Sequence, residues 1–173
     1  MRRLPVGLVL LAALLSCAHH YGLDRQRRGA AALAGPAVAY VALPEPGRLE
    51  TRVYADSGRQ TQAAIAAAIG PRVAKAELGT SPEDQDTAVI SARNRGATRA
   101  IVAKIERWED RATEWSGKPD RIVIDIRIVD VGTGQVLDAA EVSGTSRWAT
   151  FGGDHPQDLL PRAIGDYVNA LFQ

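Results

Sequence analysis

The sequence predicts an α+β fold: a two-layer sandwich, β-α-β-α-β-β-β-α, with a mixed sheet carrying its helices on one face. Three observations point there. Arg121 to Val131 alternates strictly, with Ile122, Ile124, Ile126 and Ile128 on one side and Arg121, Val123, Asp125, Arg127 and Val129 on the other. That period of two marks a strand, and its charged side predicts that helices cover one face only. The early strand-like runs are separated by helix-like stretches, while the later ones follow one another directly. The last stretch, Pro156 to Phe172, places Leu160, Ala163, Ile164, Tyr167, Val168, Leu171 and Phe172 at helical spacing, so it predicts an amphipathic helix lying on the isoleucine side.

At the N-terminus, Arg2 and Arg3 precede an apolar run from Leu4 to Leu15 that is shorter than the roughly 20 residues a membrane-spanning helix needs. This is the pattern of a secretory signal. The following Leu14-Leu15-Ser16-Cys17 looks like a bacterial lipobox, in which cleavage occurs before an acylated cysteine, so residues 1–16 are assigned to the signal peptide and Cys17 to lipidation. One acyl chain holds a protein only marginally, whereas the several chains of a lipoprotein cysteine anchor it stably. Ala18 stands where an Asp would favour inner-membrane retention by resemblance to Gram-negative sorting, so the expected location is the outer membrane, facing the periplasm. Residues 17–35 show neither strand alternation nor a helical stripe and predict a solvated tether. His19 and His20 lie in it and are too few for a metal site.

Residues 36–173 are expected to form a single periplasmic domain. Ala37 to Leu43 is unbroken apolar and ends at Pro44-Glu45-Pro46-Gly47, which suits a buried strand closed by a turn. Asp56 or Ser57 can cap a helix running through Ile69 and stopped by Gly70-Pro71. Arg72 to Leu78 alternates weakly as a strand. Ser81 then predicts a cap for a second helix with Pro82 at its first position, Glu83 and Asp84 in its first turn, and Gly96 past its end. Arg99 to Trp108 and Arg121 to Val131 are the clearest strands, and Asp130-Val131-Gly132-Thr133-Gly134 predicts a tight turn into an antiparallel strand from Gln135 to Ser143.

From Ala92 to Phe172 the order of features resembles a family of small Gram-negative lipoproteins catalogued as domain of unknown function 4823. The similar stretches are Ala92-Arg93 with Gly96-Ala97, Glu109-Asp110-Arg111 with Glu114-Trp115, the Arg121 strand and hairpin, and Thr150-Phe151 followed by Pro156-Gln157-Asp158-Leu159-Leu160. More loosely, the topology is similar to the α/β domains of periplasmic assembly lipoproteins, such as the curli secretion subunit and the outer-membrane activator of a penicillin-binding protein. The resemblance implies an envelope lipoprotein and no particular activity.

Composition and motifs narrow the function by exclusion. In 173 residues the chain balances 21 basic against 20 acidic groups, a net charge of +1 that gives no surplus of cation for a nucleic-acid backbone. A single cysteine excludes an intrachain disulfide, and no P-loop, G-x-G-x-x-G, H-E-x-x-H, nucleophile elbow or C-x-x-C occurs. His155 is the domain's only histidine beyond the tether. No cofactor, no metal and no catalytic residue is therefore expected. The partners expected are the membrane, through the lipid, and another envelope protein.

Two sets of residues are candidates for that contact. Trp108, Trp115, Trp148 and Phe151 flank strand ends in one half of a chain that has few aromatics. Trp and Arg are enriched where interfaces bind, so Arg111, Trp115, Arg147, Trp148 and Phe151 are candidate partner contacts, unless the aromatics roof the core. Glu109, Asp110 and Glu114 can meet Asp154, His155 and Asp158 if their two loops converge, forming an oxygen-rich cation or small-ligand site or, in a hydrolase whose nucleophile the sequence does not name, a general acid–base pair. The competing reading makes Asp154 and Asp158 the cap and first-turn acid of the last helix. Lys104, Glu106, Asp125 and Arg127 are expected to be a solvated sheet face.

Overall fold

Alternating sequence and sheet position agree closely in this fold. The computed structural model describes residues 19–29, 32–33, 36–111, 118–146 and 155–173. Among them lie strands β1 (His20–Arg27), β2 (Val38–Leu43), β3 (Arg48–Leu49), β4 (Arg52–Val53), β5 (Lys75–Pro82), β6 (Arg99–Glu109), β7 (Arg121–Asp130) and β8 (Val136–Thr145), with helices α1 (Ser57–Ile69), α2 (Gln85–Asn94) and α3 (Leu160–Ala170). Six strands form one mixed sheet in the order β1-β8-β7-β6-β2-β5, and β3 with β4 makes a small separate hairpin. β2 runs parallel to β5 and β6, while β6, β7, β8 and β1 are antiparallel neighbours. The fold is α+β, as the alternation predicts.

Ile122, Ile124, Ile126 and Ile128 are at most 1% exposed and sit under Ile65 and Ile69 of α1 and Leu160, Ala163, Ile164, Tyr167 and Val168 of α3. The expected isoleucine face is the main core. Helices on one face only is a correction, because α2 lies on the opposite side, where Ala88 and Ala92 pack against Tyr40, Ala42, Ala100, Val129 and Val131. The cause is readable in β2, whose neighbours Tyr40 and Val41 are both fully buried, as a strand covered on both faces requires. The rest of the odd-numbered side of β7 stays open.

Element boundaries moved where tertiary pairing outweighed local signals. Ser81 does not cap α2. It lies in β5, which extends to Pro82 because it pairs with β2 as far as Leu43, and Glu83 N continues the ladder to Leu43 O at 3.1 Å. The cap is Asp84, whose Oδ1 accepts from Thr87 N at 2.9 Å. The start of β5 shifts likewise, since Gly70–Arg72 forms a 3-10 turn after α1. Gly96 (φ +70°) and Gly134 (φ +72°) occupy the left-handed positions their turns need. The last helix proper begins at Leu160, after a 3-10 turn over Pro156–Leu159.

The largest departure concerns the expected tether. His20–Arg27 is an edge strand, paired antiparallel with β8 from His20 opposite Thr145 to Arg27 opposite Ala139. Arg25 reaches under α3: one guanidinium nitrogen donates to Ala170 O at 2.8 Å and the other pairs with Asp138. Asp138 is fully buried and also accepts from Gly29 N (3.2 Å) and Tyr167 OH (3.0 Å). Burial, then the Asp138 charge, pushes the Tyr167 hydroxyl well above its usual range, so it stays protonated and donates.

Candidate functional site

Four strand termini meet at one end of the sheet. Glu109 ends β6 opposite Arg121, the first residue of β7; Arg121 faces Thr145 at the end of β8, and Thr145 faces His20 at the start of β1. The segments that lead to residues 112–117 and 147–154 depart from this same end. Their described roots are braced together by short polar contacts.

Glu109 is 3% exposed, with Oε1 accepting from Arg107 (2.8 Å) and Oε2 from Arg111 (2.9 Å). Burial would raise its pKa, but hydrogen bonds and charge from Arg111 and Arg107 outweigh that and hold the carboxyl below the usual range. Arg111 N donates to Asp120 Oδ1 at 2.7 Å. Asp120 and Ser146 then bond reciprocally: Asp120 N to Ser146 Oγ at 2.9 Å, Ser146 N to Asp120 O at 2.9 Å. Asp110 joins two more elements, since its carbonyl accepts from Tyr54 OH (3.3 Å) and its carboxylate lies 3.5 Å from His155 Nδ1.

This geometry assigns the carboxylates structural work. Both Glu109 oxygens are committed to arginines, and Asp158 Oδ2 accepts from His155 N at 3.0 Å as part of a capping box. Glu109, Asp110 and Asp158 therefore do not point at one vacancy, and no group of three or more His, Cys, Asp or Glu among the described residues is placed to hold a metal. Cys17, Glu114, Trp115, Arg147, Trp148, Phe151 and Asp154 lie outside the described residues; Arg111 is described and half-buried. Trp108 roofs the core at 2% exposure, and Gly47 passes so close that a Cβ there would come within 2.7 Å of it.

His155 meets Asp110 as convergence of the two loops predicts, whereas Tyr54, Asp120 and Ser146 complete the brace and carry no sequence signal of it. Each reads as an ordinary polar loop residue until the strand ends are brought together. The open sheet face is solvated as its charge pattern predicts, with Lys104, Glu106 and Arg127 exposed and Asp125 half-buried. Between α2 and the β2–β3 connection it forms a groove of about 720 Å3 lined in part by Glu45, Asp84, Lys104, Glu106, Asp125 and Arg127. Across it Asp24, Glu141, Asp125 and Lys104 stand in register on four adjacent strands. Lys104 pairs with Glu106 at 2.6 Å, both side chains being well exposed.

The sequence profile of domain of unknown function DUF4823 matches residues 32–171. The chain belongs to that family. No curated protein matches it. Among solved structures, the fold is similar to the PelC dodecamer from Paraburkholderia phytofirmans, at TM-score 0.66 and 18% identity, covering 88% of this chain and 97% of that one. A point variant of PelC in another crystal form gives TM-score 0.68 and 16% identity, with 88% and 98% coverage. A Xanthomonas campestris protein of family DUF330 gives TM-score 0.50 and 9% identity, with 84% and 86% coverage. At these identities the likeness is one of fold. The DUF4823 match begins after β1, so the edge strand lies outside the span the family defines. No helix among the described residues is long and apolar enough to cross a membrane.

Proposed function

We propose that this DUF4823 member is an outer-membrane lipoprotein whose periplasmic α+β domain serves as a non-catalytic binding or scaffolding module for another envelope component. The observation that carries the reading is the order of the N-terminal features: a signal-type apolar run, a lipobox ending in Cys17, and a domain whose first strand begins at His20. The braced end of the sheet supports the binding half, because rigidly rooted loops are where recognition usually resides. On it, Arg111 with Trp115, and Arg147 with Trp148 and Phe151, are the proposed contacts. PelC, which shares the fold, forms a dodecamer, and association of copies of this chain is one form the scaffold could take.

The open-face groove favours a second reading, a small-ligand module using Glu106 and Asp125 in place of the loop carboxylates. A photo-crosslinking residue at Arg111 and another at Asp125, each in cells, separates the two. Adducts of defined protein mass from position 111 support the scaffold. Adducts only from position 125 support the groove. Membrane fractionation of Cys17→Ser checks the anchor: unprocessed or soluble protein is expected, and unchanged outer-membrane recovery would contradict lipidation.

A further inference from the structure

We infer that the braced end of the sheet rests on the headgroups of the leaflet that holds the Cys17 acyl chains, so that the domain stands on the membrane in one fixed orientation. This rests on the lipid-anchor reading above and adds a surface to it, so that the protein contacts proposed at Arg111, Trp115, Arg147, Trp148 and Phe151 are made beside the leaflet. The observation is one of chain length. Only residues 18 and 19 separate Cys17 from the first residue of β1, and an extended chain spans at most about 3.6 Å per residue, roughly 11 Å in all. His20 therefore stays within that reach of the lipid, and Thr145, Arg121 and Glu109 follow it along the same end of the sheet at about 4.8 Å per strand, the last about 14 Å from His20.

The strand cannot peel away easily to lengthen the connection, because β1 is laddered to β8 from its first residue and Arg25 is held beneath α3 by Asp138. Chemistry at this end suits a phospholipid surface. Lys118 and Arg121 are exposed there, Arg107 is exposed while paired with the buried Glu109, the Asp120 carboxylate is buried, and Asp110 is half-buried beside His155. Exposed Lys and Arg near an anionic leaflet are attracted to it. The turn from Val131 to Gly134 lies at the far end of β7, roughly 30 Å away at about 3.3 Å per strand residue.

The test uses the full-length acylated protein in vesicles of phosphatidylethanolamine and phosphatidylglycerol carrying a headgroup spin label. A fluorophore is attached at Arg121→Cys in one preparation and at Thr133→Cys in another. Strong quenching at 121 with little at 133 is expected, and a twelve-residue Gly-Ser insertion after residue 18 should bring the signal at 121 down to that at 133. Equal quenching at the two sites, or quenching at 121 unchanged by the insertion, would overturn the inference with the anchor intact. An N-terminal peptide without acyl mass would overturn both the anchor and the orientation that depends on it.

Discussion

β7 and β1 run in the same direction in the same sheet, yet one announces itself in the sequence and the other does not. β7 is an interior strand, bonded on both edges, and its four isoleucines bury completely beneath α1 and α3. Its alternation is the imprint of that one-sided burial. β1 has a single neighbour, and of its eight residues six are exposed. Tyr21 leans on the core, Leu23 is 39% exposed, and little hydrophobic burial constrains the rest. What holds β1 is a backbone ladder and one buried ion pair. Strands fixed by polar contacts leave no periodicity to read.

That contrast predicts how each strand fails. Asp138→Ala should have the largest effect, because it leaves Arg25 unpaired beneath α3 and orphans Gly29 N and Tyr167 OH. Breaking a buried pair from one side costs about 3–5 kcal/mol, and the loss should be seen in denaturant titration together with faster proteolysis between residues 20 and 29. Ile124→Ala and Ile126→Ala should each cost ~2–5 kcal/mol through the cavity they leave, without selective release of β1. If either isoleucine variant frees β1 while Asp138→Ala does not, the division between a strand held by burial and one held by charge is mistaken.

Smaller effects sharpen the comparison at the strand ends. Asp84→Ala removes the α2 cap and should lower the thermal unfolding midpoint, by less than either isoleucine variant does. Glu109 has a folded pKa held below its unfolded value by Arg111 and Arg107, so its contribution is present above the ordinary carboxylate range and is lost as pH falls through the folded value. Wild type should therefore exceed Glu109→Gln in stability at neutral pH, with the two curves converging in acid. Asp125→Ala, on the open face, should shift stability by no more than about 0.5 kcal/mol.

The legible parts of the fold were those in which burial imposes a period. The isoleucine strand, the Pro156 to Phe172 stripe and the glycines at positive φ were all open to inspection. The run from Ala37 to Leu43 held a further signal, since an apolar residue at every position calls for cover on both faces and so for α2 on the far side. The start of α2 was misplaced because Ser81 is a good local cap, and only pairing of β5 with β2 removes it from the helix. The site was less legible still. Glu109, Asp110 and Asp158 look like free carboxylates in a loop, and nothing near them in sequence shows that Arg107, Arg111 and the His155 backbone have already engaged them.

The decisive measurement is native-state hydrogen exchange of the β1 amides in the acylated, membrane-bound protein. Those of residues 21–25 that bond to β8 should exchange slowly, and Asp138→Ala should accelerate them far more than it does the β7 amides. Exchange of residues 20–27 at the rate of an unfolded chain would show a flexible tether after all, and the domain would then be free of the membrane surface.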